Sequence, residues 1–375
     1  MMLLILGLMV TSFVPFIYAP FTGDIEIFIA TENQVKYKMR ENQNRNHAID
    51  MMKGWLAVLM TISHLTYVTS YWTNHIFTKR FNAYVNLTTF SGFLFCFGYV
   101  CWSAYIDTDK KEVEKKLLHG AVKTLAAYYV SGISYLIFYG KPSIDILSVL
   151  LLQKIPSLSE FLLSFLLIYI ILLLSRKILR RMNFFWMMIA SAGSLILIHI
   201  FPVEIIVSPV MGNVIGTTAY SCFPILGYLL FFLAGCSLSK YGNRLWVPFF
   251  GLSIWGTGLF IRYIMVTGTY PGRFPPTVHW IAGGMLPVCM YYFIFTLFDK
   301  IGMDIRFLEF LGGGHTLTLL VVGNVTSFAL RGLTQDRIQA YMTDASDLLW
   351  FILLIGLVFG VAYFLILVNW VIKIN

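Results

Sequence analysis

Charge is what this 375-residue sequence has least of: Asp, Glu, Lys and Arg make up 12% of it, against 58% hydrophobic residues. A water-soluble domain carries about a quarter of its residues charged, so a soluble enzyme or binding module of this length is excluded. Chemistry-bearing signatures are also missing. The five cysteines, Cys96, Cys101, Cys222, Cys236 and Cys289, form no CxxC pair and stand at no metal-ligand spacing from histidine, which leaves them as packing residues and predicts no metal. There is no Walker loop, no GxSxG elbow and no HExxH run. Low-complexity tails, internal repeats and any polar stretch long enough to fold as a second domain are absent too. Whatever chemistry takes place must use the apolar segments.

Those segments are long. A hydrocarbon core of about 30 Å takes about 20 helical residues to cross, and inside it every backbone polar group has to be satisfied within the segment, which selects helices. The hydropathy pattern predicts helices near 2–20, 54–72, 84–106, 118–139, 157–175, 184–201, 221–239, 246–267, 277–298, 308–330 and 348–372. The expected fold is an all-α polytopic transmembrane helical bundle of ten or eleven spans. Residues 1–21 read as an extra N-terminal span: they lack a basic n-region, and proline follows Tyr18-Ala19, a poor cleavage site. Residues 22–53 read as a cytoplasmic connecting segment and 54–375 as the bundle proper.

The net charge of +9 is informative through its distribution. Lys110, Lys111, Lys115 and Lys116 fall between two predicted spans, and Arg176, Lys177, Arg180 and Arg181 two connections later. The alternate connections carry few cations, among them Lys141, Lys154 and Arg273. This excess fits the positive-inside rule, with the N-terminus outside, the C-terminus cytoplasmic, and the protein multi-pass in a cell membrane, expected to be bacterial. Basic loops that set topology call for no nucleic-acid partner; membrane lipid is the expected surrounding. The sequons at Asn86 and Asn324 fall in or at the end of predicted spans and read as accidental.

An ionisable residue inside a span is costly and is a functional candidate by default. His64 is the clearest, near the middle of the predicted second span and eleven residues after Lys53. Eleven residues are three helical turns plus about 20° and about 16 Å of rise, so Lys53 and His64 share a face with Asp50, Ala57, Met60 and Thr61. They are too far apart to bond each other, but they suit the two ends of one long ligand. Lys53 would meet phosphate at the membrane surface, and a desolvated, neutral imidazole would act as general base deeper in. The plain alternative is a snorkelling lysine and a histidine bonded to a neighbouring helix.

The run Asp50-x-x-Lys53-Gly54-x9-His64 resembles the signature of the acyltransferase-3 family of integral membrane acyltransferases, with Lys53 where Arg is usual. Phe90-Ser91-Gly92-Phe93-Leu94 is similar to that family's FF-x-x-SGFL, and Leu311-Gly312-Gly313-Gly314-His315-Thr316-Leu317 to its LG-x-x-[ST]-L run. The family's further histidine near Gly323-Asn324 is missing. Lys53, Ala57, Met60 and Ser63-His64 also resemble the TraX-type membrane acetyltransferase motif, with Ala57 displaced by one position and Ser63 in place of Asp. Both resemblances imply acyl transfer. They imply acetyl-CoA or another acyl-CoA as donor, a hydroxyl of a glycan or lipid-linked glycan as acceptor, His64 as the catalytic residue, and Asp50, Lys53, Ser91 and His315 at the donor.

Three residues are candidates for the acceptor side. Glu160 either completes a capping box with Ser157 or binds acceptor. Arg262, near the outer end of its span, either snorkels or bonds acceptor hydroxyls, and His279 opens the next span close by. Tyr71, Trp72 and Trp280 read first as an interfacial belt. The rival from another class is a transporter or flippase of lipid-linked glycans, for which the matching broken helices of inverted repeats are not seen.

Overall fold

The computed structural model describes residues 46–68, 76–108, 112–138, 145–338, 352 and 355–364; the expected helix 2–20, the segment 22–45 and residues Tyr71 and Trp72 lie outside them. Among the described residues every regular element is helical. The long helices are α1 (His47–Val68), α2 (Ile76–Cys101, continued by a π-helical turn Trp102–Ile106), α3 (Val113–Phe138), α5 (Glu160–Arg181), α6 (Phe184–Ile200), α8 (Ile225–Tyr241) and α9 (Trp246–Thr267). They are followed by the pair α10 (Val278–Gly283) and α11 (Met285–Lys300), then α12 (Arg306–Phe310), a second π-helical turn (Leu311–His315), α13 (Thr316–Ile338) and α14 (Ile355–Phe364). Short helices α4 (Ile146–Leu150) and α7 (Pro209–Val214) sit in the long connections expected on the outside. The protein is an all-α polytopic membrane bundle, with six helices among the described residues long and apolar enough to span.

Local sequence explains where the helices begin and end. Asn46 caps α1 by accepting from the Ile49 amide at 3.0 Å, Asn183 caps α6 through Trp186 and Thr277 caps α10 through Trp280. Gly268, at φ +69, closes α9 in the left-handed conformation that only glycine adopts readily. At the basic end, Arg180 and Arg181 occupy the last turn of α5 and Lys240 that of α8, where cations suit the helix macrodipole. Lys240 donates to the Met182 carbonyl at 2.8 Å and lies over Trp102, and Arg176 meets Glu114 at 3.2 Å. One end of the bundle therefore brings Arg176, Arg180 and Lys240 together beside the connection that follows α2.

The helix that carries the signature, α1, is absent from the six apolar spans, and its environment explains why. It packs against α2, α11, α12, the second π turn and α13, and Met51, Met52, Leu56 and Ala57 are fully buried. Walled by other helices, it can hold Asp50, Lys53 and His64 without presenting them to lipid. It begins at His47, seven residues before the expected start, so the whole Asp50–His64 run lies on one helix. The predicted span 277–298 is present as Val278–Lys300, with a single irregular turn at Gly284, where the helix crosses α2 so closely that an added Cβ would lie 2.9 Å from the Leu87 carbonyl. Trp280, expected in an interfacial belt, is instead buried at 4% exposure, its ring set edge-on to that of Phe260 on α9.

The orientation has a direct test that uses the native cysteines as silent background, since all five are buried. Glu112 and Gly272 are both exposed, at opposite ends of the bundle. With Glu112→Cys and Gly272→Cys as separate variants, an impermeant maleimide applied to intact cells should label only the cysteine at 272. Labelling at 112 instead would invert the topology.

Candidate active site

Two polar constellations lie at the two ends of α1. Toward the basic end, Lys53 Nζ is 2.6 Å from Asp50 Oδ1, with the lysine side chain 22% exposed and the aspartate nearly buried. His47 meets Glu309 of α12 at 2.9 Å, and Asn46 donates to the Tyr99 hydroxyl at 2.9 Å. Lys53 is thus an engaged cation: it balances a buried carboxylate, and an incoming phosphate would have to share it with Asp50 or take Asp50's place.

This end is assembled by glycine. A Cβ at Gly54 would collide with the Leu308 carbonyl, and one at Gly312 with the Asp50 carbonyl. The Gly312-Gly313-Gly314 run therefore lies directly on the backbone of the Asp50–Gly54 signature. Two motifs some 260 residues apart in sequence form one surface. The π turn ends at His315, whose ring lies 4.7 Å from that of Phe310. Ser91 is turned elsewhere: its hydroxyl donates to the Leu87 carbonyl at 3.1 Å and faces Gly284, while Gly92 packs against Leu56 of α1. The Ser91-Gly92 pair thus serves close helix approach.

At the other end His64, partly buried, sits one turn before the end of α1. Its Nδ1 is 2.7 Å from Oδ1 of Asn324 on α13. The Asn324 amide nitrogen donates to the Leu158 carbonyl at 2.9 Å and to the Ser131 hydroxyl of α3 at 3.0 Å. Ser131 in turn accepts from Ser159 at 3.0 Å. Asn324, Ser131 and Ser159 are fully buried. Sequence reading passed over Asn324 as an accidental sequon; the signal available was an amide in the middle of an apolar span.

Leu158 is in the left-handed region at φ +64, a conformation that costs a non-glycine residue about 1 kcal/mol. It is the turn before α5 that demands it. The expected capping box is not formed: α5 starts at Glu160, its N-cap is Ser159 with no side-chain cap bond, and the Ser159 hydroxyl is directed to Ser131. Freed from that role, the Glu160 carboxylate lies against the backbone N–H groups of Leu158 and of Glu160 itself. Arg273, whose guanidinium stacks 4.3 Å over Phe274 and 5.4 Å over Phe223, is within electrostatic reach of His64, Glu160 and Tyr228. In the sequence Arg273 registered only as an outer-loop cation.

The other two acceptor candidates lie apart from this group. Arg262 is exposed on α9, a peripheral helix, and His279 is exposed with its ring 4.8 Å from that of Tyr263. Arg273 lies within electrostatic reach of both His64 and Glu160. No group of histidine, cysteine, aspartate and glutamate able to hold a metal occurs among the described residues.

A family model described as heparan-alpha-glucosaminide N-acetyltransferase, catalytic, matches residues 45–271, more than half of the chain, and the chain belongs to that family. No curated protein and no solved structure matches it. The match begins just before α1 and covers the signature, His64 and Glu160, while Arg273 and Asn324 lie beyond its end. It makes the chain a membrane protein of acetyltransferase type.

The glycine surface yields a stability prediction. Gly54→Ala and Gly312→Ala each force a methyl into a backbone carbonyl, and overpacking of this kind costs about 1–3 kcal/mol. Both should lower the unfolding temperature of the detergent-solubilised protein. Gly193→Ala, at a site with nothing within 4 Å, should leave it unchanged or raise it slightly. Wild-type melting of the first two would mean that the two motifs do not share a surface.

Proposed function

We propose that this protein transfers an acetyl group from cytoplasmic acetyl-CoA to a nucleophile of a sugar acceptor, with His64 as general base. The observation that carries the reading is the geometry of His64. Its Nδ1 is occupied by Asn324, its other ring nitrogen has no partner among the described hydrogen bonds, and it stands on the same helix face as the Lys53–Asp50 pair about 16 Å toward the basic end. A donor with a phosphorylated head and a reactive tail has about that reach.

In the step we assign, the acceptor's O–H or N–H gives its proton to Nε2 of His64 while its heteroatom bonds to the thioester carbonyl carbon. Collapse of the tetrahedral adduct breaks the carbon–sulfur bond, and the imidazolium returns the proton to the departing sulfur, leaving CoA as the thiol. Arg273 would lend positive potential to the oxyanion of the adduct, and Glu160 would hold acceptor hydroxyl or amino groups. Lys53 and Asp50, with His315 beside the glycine surface, form the donor end. The motifs resembling acyltransferase-3 proteins support a glycan hydroxyl as acceptor. The name of the family that the chain belongs to supports the amino group of a glucosamine unit, and both are carried forward as a sugar acceptor in the cell envelope. Family membership favours this enzyme over the transport alternative.

His64→Ala should lower transfer of radiolabelled acetyl from acetyl-CoA to glucosamine-bearing and hydroxyl-only sugars by about 10²–10⁴-fold, the usual contribution of a positioned base, with the unfolding temperature held. Wild-type labelling by that variant would remove His64 from the mechanism. The donor end is tested separately. Lys53→Arg should keep CoA affinity, since either cation can balance Asp50 and meet phosphate. Lys53→Met combined with Asp50→Asn removes the pair without orphaning a buried charge; it should fold but bind CoA at least tenfold more weakly. Undiminished CoA binding by the double variant would reduce Lys53 to a structural counter-ion.

A further inference from the structure

We infer that Asn324 is a positioning residue that fixes His64 in the single tautomer able to act as base, and that the Leu158 turn exists to hold Asn324. This inference rests on the reading of His64 as general base and specifies how that base is prepared. An asparagine amide can be turned either way about its last bond, and its oxygen and nitrogen are then exchanged. Here the choice is forced. The Leu158 carbonyl, 2.9 Å from one end of the amide, can only accept. That end is therefore the NH₂ group, and the oxygen faces His64 at 2.7 Å. A carbonyl oxygen can only accept as well, so Nδ1 of His64 carries the hydrogen. In the neutral ring the lone pair then belongs to Nε2, which is the nitrogen left for the acceptor's proton.

The arrangement is a three-part chain, carbonyl to amide to imidazole, spanning the turn before α5, α13 and α1. Its components differ in how they are secured. Ser131 supplies a second acceptor for the NH₂ group and is itself held by Ser159. The Leu158 carbonyl is aimed by a backbone conformation, φ +64, that a leucine adopts only where its surroundings require it. The serine preceding α5 has left its capping role to complete the same network. A neutral amide also orients the ring without a negative charge, so the imidazolium formed during transfer is not retained by a carboxylate and releases its proton to the leaving sulfur. The charged groups within reach of the ring are Arg273 and, beside it, Glu160, and neither lies on the Nδ1 bond.

The test compares Asn324→Leu, Asn324→Asp, Ser131→Ala and Leu158→Gly in acetyl transfer, each as full kinetic constants against pH with unfolding temperatures alongside. Asn324→Leu should lose at least tenfold in kcat with the KM for acetyl-CoA within twofold of wild type. Asn324→Asp supplies an acceptor oxygen and should recover part of that loss. A carboxylate favours the imidazolium form, and activity requires the neutral ring, so the acid limb of the Asn324→Asp profile should move to higher pH. Ser131→Ala removes one of two acceptors and should cost less than fivefold. Leu158→Gly keeps the carbonyl but frees the turn that aims it, and should lose less in kcat than Asn324→Leu. A pH profile of Asn324→Asp superimposable on wild type, or an Asn324→Leu protein with wild-type kcat, overturns the inference. The outcome separates from the parent reading through His64→Ala: if that variant is inactive while Asn324→Leu is fully active, the base stands and only the positioning role falls. If Asn324→Leu does not fold, the Asn324→Asp profile alone decides.

Discussion

The Asn324 amide is the interaction on which the candidate site depends. It sits fully buried among apolar helices, and every one of its described bonds crosses to another element: to α1 through His64, to α3 through Ser131, and to the turn before α5 through Leu158. A buried amide that lost any partner would incur the desolvation penalty of about 1–3 kcal/mol. The four elements are therefore tied to one geometry at the level where the imidazole is needed. In a lipid environment, where the hydrophobic effect does not press helices together, such polar ties and close backbone packing define the interface.

The other end of α1 is set by the opposite means. There the determinant is the absence of side chains: Gly54 and Gly312 let the second π turn lie on the signature helix. Asp50 and Lys53 are then enclosed as a pair. One helix thus carries a charged, partly exposed end and a neutral, polar one, separated by Leu56, Ala57 and Met60, all buried. The proposed chemistry uses that division: phosphate recognition belongs where charge is available, and proton transfer where it is scarce.

Much of the fold was legible because lipid imposes it. Span lengths and the cation asymmetry placed most helices within a few residues, and α6 and α9 almost to the residue. The miss at the start of α1 arose because hydropathy sees only apolar length. His47 to Lys53 carries His47, Asp50 and Lys53 yet is helical, since neighbouring helices take the place of lipid. The burial of Trp280 was illegible for a related reason, as it follows from how α10 packs against α9 and α2, a property of neighbouring helices. In the site, His64 and its relation to Lys53 followed from period and charge alone. Asn324 and Arg273 did not, because their partners are up to 260 residues away in sequence. Glu160 was read with its capping alternative, and only the start of α5 at Glu160, with Ser159 in place of Ser157 as N-cap, shows that the box is not made.

The central claim is that an acetyl group leaves CoA in this bundle. The measurement that meets it most directly is release of free CoA thiol by the purified protein in liposomes, followed against the acetylation of a sugar acceptor in the same sample. The account predicts thiol release that requires acceptor and matches the acetylated sugar one for one. Movement of a sugar across the membrane with no thiol released would contradict it and identify the protein as a transporter.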